Sequence, residues 1–368
     1  MKGKKLKVAI VHDWLVGGGT EKVVEALHQM YPDAPIYTSY ATDEWQSRLN
    51  NKVVTGILQK WPFAKLRKFI PYLRIWWFQS LNFEGYDLVI SSSGSEAKGI
   101  KTSGDTLHIN YCHAPTHYYW SKYEQYLKNP GFGIFDPIAR LGLKLFIGNL
   151  RNWDFKAAQR PDVLIANSTY TKAQIKKYYK RDSTVVFPPV DVDYFKSSKP
   201  ANRSGFVIAG RQTPYKRFDL AVKACTKLGL PLTVIGTGPE HERLKAIAGH
   251  TVKFLGHIDR SQLRKELQSA QAFIFPGIDD FGIAPAEALA SGCPVIAYKD
   301  GGALDYVKSG KTGYFFDKPT VGSLVSTLQG FKPLQIKQLP IDVSYQSFQK
   351  SIQNQLSNSE FALSVIYF

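Results

Sequence analysis

Short apolar runs rich in β-branched residues alternate with helix-period stretches along this chain, and the alternation runs through twice. In the first half, residues 6–11 lead through Gly17-Gly18-Gly19 into a helical pattern at Val23, Val24, Leu27 and Met30. Further runs stand at 88–91, 107–111 and 163–166. The second half restarts at 206–209 and passes through a helical stretch over 220–228. It then adds runs at 232–235, 254–255, 272–275 and 294–297. Buried strands separated by helices of about 10–15 residues specify parallel sheets covered on both faces. Two such units in series predict two doubly wound α/β domains, in keeping with 368 residues at about 150 per domain.

The boundary has its own composition. Phe187-Pro188-Pro189-Val190-Asp191 is stiff and extended, and residues 197–204 are polar without periodicity, which places a hinge near 188–204. The chain therefore divides into a first domain over 1–195, a second over 196–340 and a C-terminal segment over 341–368. Phe348, Ile352 and Leu356 keep helical spacing in that segment, whereas 359–368 carry no assignable pattern. Ligands of open parallel sheets bind beyond the carboxyl ends of the strands, so a cleft between the two sheets is the expected active site.

Several classes of protein are excluded. Cys112, Cys225 and Cys293 are too few for a disulfide framework and lack metal-ligand spacing, which fits a reducing cytoplasm. The basic N-terminus is followed by an apolar stretch that ends at His12 and Asp13, too short for a signal peptide. No run of 18 apolar residues is present to span a bilayer. With 47 Lys and Arg against 30 Asp and Glu, the formal charge is +17, pointing to an anionic partner: nucleic acid, an acidic membrane or a phosphorylated ligand.

Three segments carry candidate chemistry. Gly17-Gly18-Gly19-Thr20 lies between the first strand and first helix, where glycines admit a close ligand and helix amides attract anions. It is not the G-x-G-x-x-G pattern, and a plain tight turn remains the alternative. The second segment, Gly210 to Asp219, sets Arg211 and Lys216 after the strand that opens the second domain. Cations at a helix start oppose its dipole, which favours an anionic ligand such as a diphosphate over a merely solvated basic turn. The third runs from Phe275 to Val295, turns on Gly282 and places Asp279 and Glu287 eight residues apart. Acids near a helix start are also favoured on structural grounds alone.

This third segment resembles the E-x7-E signature of the retaining glycosyltransferases of family 4, which have the GT-B fold. The resemblance covers nearly the whole chain in order and spacing. It includes the glycine loop, Ile109-Asn110-Tyr111-Cys112-His113-Ala114-Pro115, Ala166-Asn167-Ser168, residues 186–191, residues 210–216, Gly236-Thr237-Gly238, Phe254-Leu255-Gly256 and Gly301-Gly302. Tyr111 to Pro115 and Asn152-Trp153-Asp154 look most like the mannosyltransferase branch that assembles bacterial surface polysaccharide.

The resemblance implies the following roles. Gly18 and Gly19 approach the donor phosphates, and Gly238 lies in a loop near the base. Arg211 and Lys216 bind the diphosphate and stabilise the leaving group. Glu287 accepts hydrogen bonds from the ribose, and the backbone of Phe281, Gly282 and Ile283 contacts sugar and phosphate. His113 lies near the sugar's reactive carbon, with a satisfied histidine ending a strand as the alternative. Asp279 stands where the family usually has its first Glu, one methylene shorter, and Asp280 is an alternative for that place. The implied reaction retains anomeric configuration and needs no cofactor or metal. Asp191-Val192-Asp193 has a metal-binding spelling but lies in the interdomain segment.

Residues 60–78 carry five cations, seven aromatics and no acid. Such a segment fits an interface with anionic lipid, with Trp61, Lys65, Arg67, Lys68, Trp76 and Trp77 as contacts. It also fits single-stranded nucleic acid, or an amphipathic helix pair whose aromatics enter the core. With the resemblance, membrane contact is the expected role, on the inner face of the plasma membrane, and no nucleic-acid partner is expected. The full expectation is transfer of mannose from GDP-mannose to a glycan or polyprenyl-diphosphate-linked acceptor. The alternatives are a UDP-sugar donor, or a nonenzymatic membrane- or nucleic-acid-binding module with a decayed site.

Overall fold

The computed structural model describes residues 6–67, 70–131, 133–196, 202–336 and 338–358. Lys68, residues 197–201 of the expected hinge and residues 359–368 lie outside the described residues.

The chain forms two compact units, one running to Pro189 and rejoined from Tyr345 onward, the other spanning Val190–Ser344. The first contains seven strands: β1 (Val8–His12), β2 (Ile36–Thr38), β3 (Val53–Val54), β4 (Leu88–Ser93), β5 (Leu107–Cys112), β6 (Val163–Ala166) and β7 (Thr184–Val185). They form one parallel sheet in the order β3-β2-β1-β4-β5-β6-β7. Register pairs Ile10 with Ile90 and Ile90 with Ile109. Because side chains alternate faces, these isoleucines share one face with helix α1 (Glu21–Met30), while Ala9, Val11 and Val89 face the other.

Helix α2 (Pro71–Ser80) seals that second face. Two further helices, α3 (Asp136–Ala157) and α4 (Thr169–Tyr179), follow on the same unit. The sequence reading of residues 60–78 is corrected at two positions. Trp77 is only 5% exposed and packs with Phe78 among Leu58, Phe83 and Val89. Arg67 is also buried, its guanidinium 3.6 Å over the Tyr40 ring. Neither faces an external surface, whereas Trp61 and Trp76 are exposed, at 79% and 58%.

The second unit has six strands: β8 (Phe206–Ala209), β9 (Leu232–Ile235), β10 (Val252–Gly256), β11 (Ala272–Phe275), β12 (Val295–Tyr298) and β13 (Gly313–Phe316). Their order, β10-β9-β8-β11-β12-β13, is again parallel throughout. Helices α5 (Phe218–Leu228), α6 (Ile283–Ala290) and α7 (Ala303–Tyr306) follow β8, β11 and β12. A final helix, α8 (Tyr345–Ser357), buries Phe348 and Ile352 in the core of the first unit, with Phe348 edge-on to Tyr111 at 5.8 Å.

The observed boundaries differ from those at 195/196 and 340/341. Val190 N donates to Val343 O at 2.7 Å, and Asp191 pairs with Arg260 at 2.7 Å. Arg260 also lies over the Tyr194 ring. These contacts fix 190–195 and 341–344 to the second unit. Asp191 is thus used as a helix cap and ion-pair partner.

Candidate active site

In the second unit the strand order reverses between β8 and β11, so the loops leaving these two strands flank a topological switch point. The loop after β8 carries Arg211 and a single 3-10 turn, Pro214–Lys216. The loop after β11 carries Asp279 and Asp280 and ends at Gly282, the N-cap of α6. Glycine holds these loops together because no Cβ would fit. On Gly277 it would lie 2.7 Å from the Lys216 Cα, and on Gly302, after β12, 2.3 Å from the Asp280 carbonyl oxygen.

Lys216 Nζ lies 3.1 Å from Asp279 Oδ2, with both side chains mostly buried. Burial alone lowers an ammonium's pKa, but Asp279, then Tyr215 and Asp280, outweigh it and raise the pKa of Lys216 above its usual value. A permanent cation therefore stands at the switch point. Asp279 makes this ion pair. Arg211 on the same loop is exposed and makes no ion pair among the described residues. Glu287 is buried one turn into α6. Gly238, after β9, would place a Cβ 2.5 Å from the Gln212 carbonyl oxygen.

Two residues around this switch point went unread in the sequence. Tyr306, fully buried on α7, donates to Phe281 O at 2.6 Å and so anchors the acidic loop. Gln212 is also fully buried; its Nε2 donates to Gly236 O at 2.7 Å, and its Oε1 lies 2.8 Å from His241 Nδ1. It ties the β8 loop to the β9 loop. Neither belongs to a local pattern, because each acts on a segment more than twenty residues away.

In the first unit the strand order reverses between β1 and β4; the glycine loop leaves β1, and His113 leaves β5, the neighbour of β4. His113, just past β5, is buried with Nε2 2.7 Å from Ser92 Oγ. His12, ending β1, donates from Nδ1 to Ser92 O at 2.7 Å, and its buried Nε2 has no partner among the described residues. The two rings lie edge to face at 6.2 Å. Asp13 accepts from the amides of Gly94 and Ala97, both at 2.8 Å, which fixes the loop after β4. Burial, then Glu96, raises the Asp13 pKa.

The glycine loop is partly satisfied from within. Glu21, the first residue of α1, accepts from Gly17 N at 2.9 Å and Val16 N at 3.2 Å. Gly18 and Gly19 remain exposed at the loop tip. Asp154, noted above only by resemblance, is fully buried and accepts from Thr116 Oγ1, Trp120 Nε1 and Tyr179 OH while pairing with Lys98 at 2.6 Å. It secures the segment after His113. The described residues contain no group of three or more His, Cys, Asp or Glu that could hold a metal ion.

Both halves match family models. Residues 17–194 match Glycosyltransferase Family 4, and residues 190–337 match Glycosyl transferases group 1. The chain belongs to the glycosyltransferases of family 4. Its fold is GT-B. Anabaena HepE, solved with UDP and glucose, superposes with a TM-score of 0.69 at 16% identity, covering 96% of this chain and 100% of that one. Sucrose-phosphate synthase of Thermosynechococcus elongatus gives 0.68 at 17% identity over 98% and 100%.

Among curated relatives of this family 4 chain, a D-inositol 3-phosphate glycosyltransferase of Nocardioides sp. is 26% identical over 201 residues, 44% of either chain. A GDP-mannose-dependent alpha-(1-6)-phosphatidylinositol monomannoside mannosyltransferase of Mycobacterium tuberculosis is 28% identical over 191 residues, 44% of this chain and 50% of the relative. The chain spans about half the length of the curated relatives it matches.

Proposed function

We propose that the protein transfers a hexose, mannose from GDP-mannose, to a glycan or polyprenyl-diphosphate-linked glycan at the cytoplasmic face of the membrane. The observation that carries the transferase reading is the Lys216 cation beside Asp279 at the switch point of the second sheet. As the bond from the anomeric carbon to the β-phosphate oxygen breaks, negative charge gathers on the departing diphosphate. A cation already fixed where that charge develops stabilises it without reorganisation. Arg211 adds a second positive group from the same loop, and Glu287 takes the ribose hydroxyls.

An acceptor hydroxyl oxygen forms the new bond to the anomeric carbon on the face the diphosphate leaves, and its proton passes to the departing phosphate oxygen. Configuration is thereby retained. The backbone of Phe281, Gly282 and Ile283, with Gly238, completes the donor contacts. Gly18, Gly19 and His113 take the roles expected of them toward phosphate and sugar. The reading assigns charge neutralisation to the protein's own cations, without a metal.

The mannose assignment draws support from relatives whose names specify GDP-mannose. A UDP-sugar donor is the second reading, favoured by the fold's likeness to the Anabaena protein solved with UDP and glucose. A thermal-shift panel of GDP, UDP, GDP-mannose and common UDP-sugars separates them. A ligand at about 100 times its dissociation constant adds about 2.7 kcal/mol, a shift of roughly two degrees or more at this size. Stabilisation by GDP and GDP-mannose is expected. A UDP-only response replaces the donor, and no response to any nucleotide removes the transferase reading.

A further inference from the structure

Helix α3 is built in two halves. Its second half is anchored: Leu150, Asp154 and Ala157 are each no more than 2% exposed. Its first half, with the turn before it, exposes Ile134, Ile138, Leu141 and Leu145 at 88%, 70%, 58% and 67%. Within α3, Ile138, Leu141 and Leu145 step by three and four residues, which places them on one side of the helix, and Ile134 lies in the turn just before it. Monomeric soluble surfaces seldom expose a contiguous stripe of this kind without a use for it. The stripe also has a neighbour, since the Phe146 ring meets the Tyr72 ring of α2 edge-on at 6.0 Å. Trp76, one turn on from Tyr72, is itself 58% exposed.

The charges around this face are almost all of one sign. From Lys128 to Arg151 the chain carries four cations against the single acid Asp136. Lys128 and Lys144 are exposed, as are Lys60 and Lys65 on the approach to α2. A second copy of the chain packed on the stripe would set these lysines against themselves. An anionic lipid surface opposes them with the opposite charge and takes apolar side chains between its headgroups. We propose that the Ile134–Ile138–Leu141–Leu145 stripe of α3, continued by Phe146, Tyr72 and Trp76, is a docking face that inserts into an anionic bilayer surface. The proposal deepens the membrane location in the function given above and names the side chains that would enter the lipid.

The test uses the full chain and cosedimentation with phosphatidylcholine vesicles, with and without phosphatidylglycerol, at low salt. Wild type should sediment only with the anionic vesicles. Leu141→Glu/Leu145→Glu should lower the bound fraction at least about tenfold, and Lys128→Glu/Lys144→Glu several-fold. Leu141→Ser/Leu145→Ser, which removes the apolar groups without adding charge, should also release the protein. Unchanged melting temperature and nucleotide-induced thermal shift in these variants separate loss of docking from loss of fold or of donor binding. Wild type left in the supernatant with anionic vesicles overturns the proposal. So does a doubly substituted α3 that binds as wild type does. A wild-type dimer that the α3 substitutions split, without vesicle binding, assigns the stripe to a second copy and overturns it as well.

Discussion

Lys216 on the loop after β8 and Asp279 on the loop after β11 face each other at 3.1 Å across the point where the second sheet reverses its strand order. The pair couples the cationic loop to the acidic one, and each residue has a separate consequence. Lys216→Ala should leave the fold intact and weaken nucleoside-diphosphate binding by about 1.5–3 kcal/mol, the range for a hydrogen bond to a charged group. Turnover should fall by about 10²–10³-fold, as when a preorganised charge stabiliser is removed. Calorimetric titration and released diphosphate measure the two effects.

Asp279→Asn should act in the opposite direction on binding. The carboxylate competes with a diphosphate for Lys216, so removing its charge should tighten diphosphate binding by up to about 1 kcal/mol, the scale for a partly exposed pair. On the proposed function, with Asp279 in the family's acidic place beside the transferred sugar, turnover should nevertheless fall. Looser diphosphate binding by this variant would mean that the carboxylate positions Lys216 and does not compete for it.

Tyr306 tests whether the acidic loop must be held. Tyr306→Phe removes the hydrogen bond to Phe281 O and leaves that carbonyl buried, which should cost about 1–3 kcal/mol of stability. Thermal unfolding checks the stability. A shift of about 1 Å in the loop can cost on the order of a hundredfold in rate, so turnover should fall more steeply than donor binding.

Central strands made of unbroken apolar runs, and their glycine-rich exits, were legible in the sequence because each carries its pattern locally. Residues 206–209, 232–235 and 272–275 are strands over those same spans. β2, β3 and β7 were not legible: they run two or three residues, too short for a period of two to register. Lys216 could be singled out as a cation at a helix start, and Asp279 and Glu287 by their eight-residue spacing across Gly282, to which the family resemblance attached roles. Tyr306, Gln212 and Ser92 could not, since each acts on a partner about twenty residues or more away. Segment 60–78 was misread at Arg67 and Trp77 because composition counts aromatics and cations without saying which way a short helix turns them. The exposed stripe of α3 escaped notice for the converse reason. Its apolar spacing is that of any core-facing helix, and only the three-dimensional packing reveals that half of it faces outward.

Gly302 tests the loop packing directly. Its φ of −65° suits any residue, so Gly302→Ala acts through the clash of its Cβ with the backbone of Asp280 and Phe281. Donor binding should weaken as the loop bearing Asp279 is pushed aside, by about 1–3 kcal/mol, the cost of overpacking. Gly322→Ala, in a helix spanning Val321–Gln329, is the control, because no heavy atom lies within 4 Å of its added Cβ. There the change should leave donor binding alone and raise stability by up to about 1 kcal/mol through helix propensity. Melting curves and nucleotide titrations of both variants distinguish the two outcomes.

A buried histidine gives the fold a defined acid response. His108 on β5 is fully buried, with Nε2 2.8 Å from Ser91 Oγ and Nδ1 without a partner among the described residues. Burial, then the nearby Arg160 and Arg181, push its pKa down to about 3 from 6.5. Above pH 6.5 the imidazole is neutral in both the folded and unfolded chain, and its titration contributes nothing. Between pH 6.5 and about 3, the unfolded chain takes up a proton that the folded chain excludes, so stability falls as pH falls. Below that range both states are protonated and the effect levels off. His108→Leu should flatten this dependence between pH 6.5 and 4.5, even where it lowers stability at pH 7.5. Ser91 Oγ keeps Asn110 Nδ2 at 2.9 Å as a partner in that variant. Urea unfolding across this interval measures the slope. An unchanged slope in the variant would assign the acid sensitivity to other groups; buried Asp13 is not one of them, because its raised pKa favours folding at low pH.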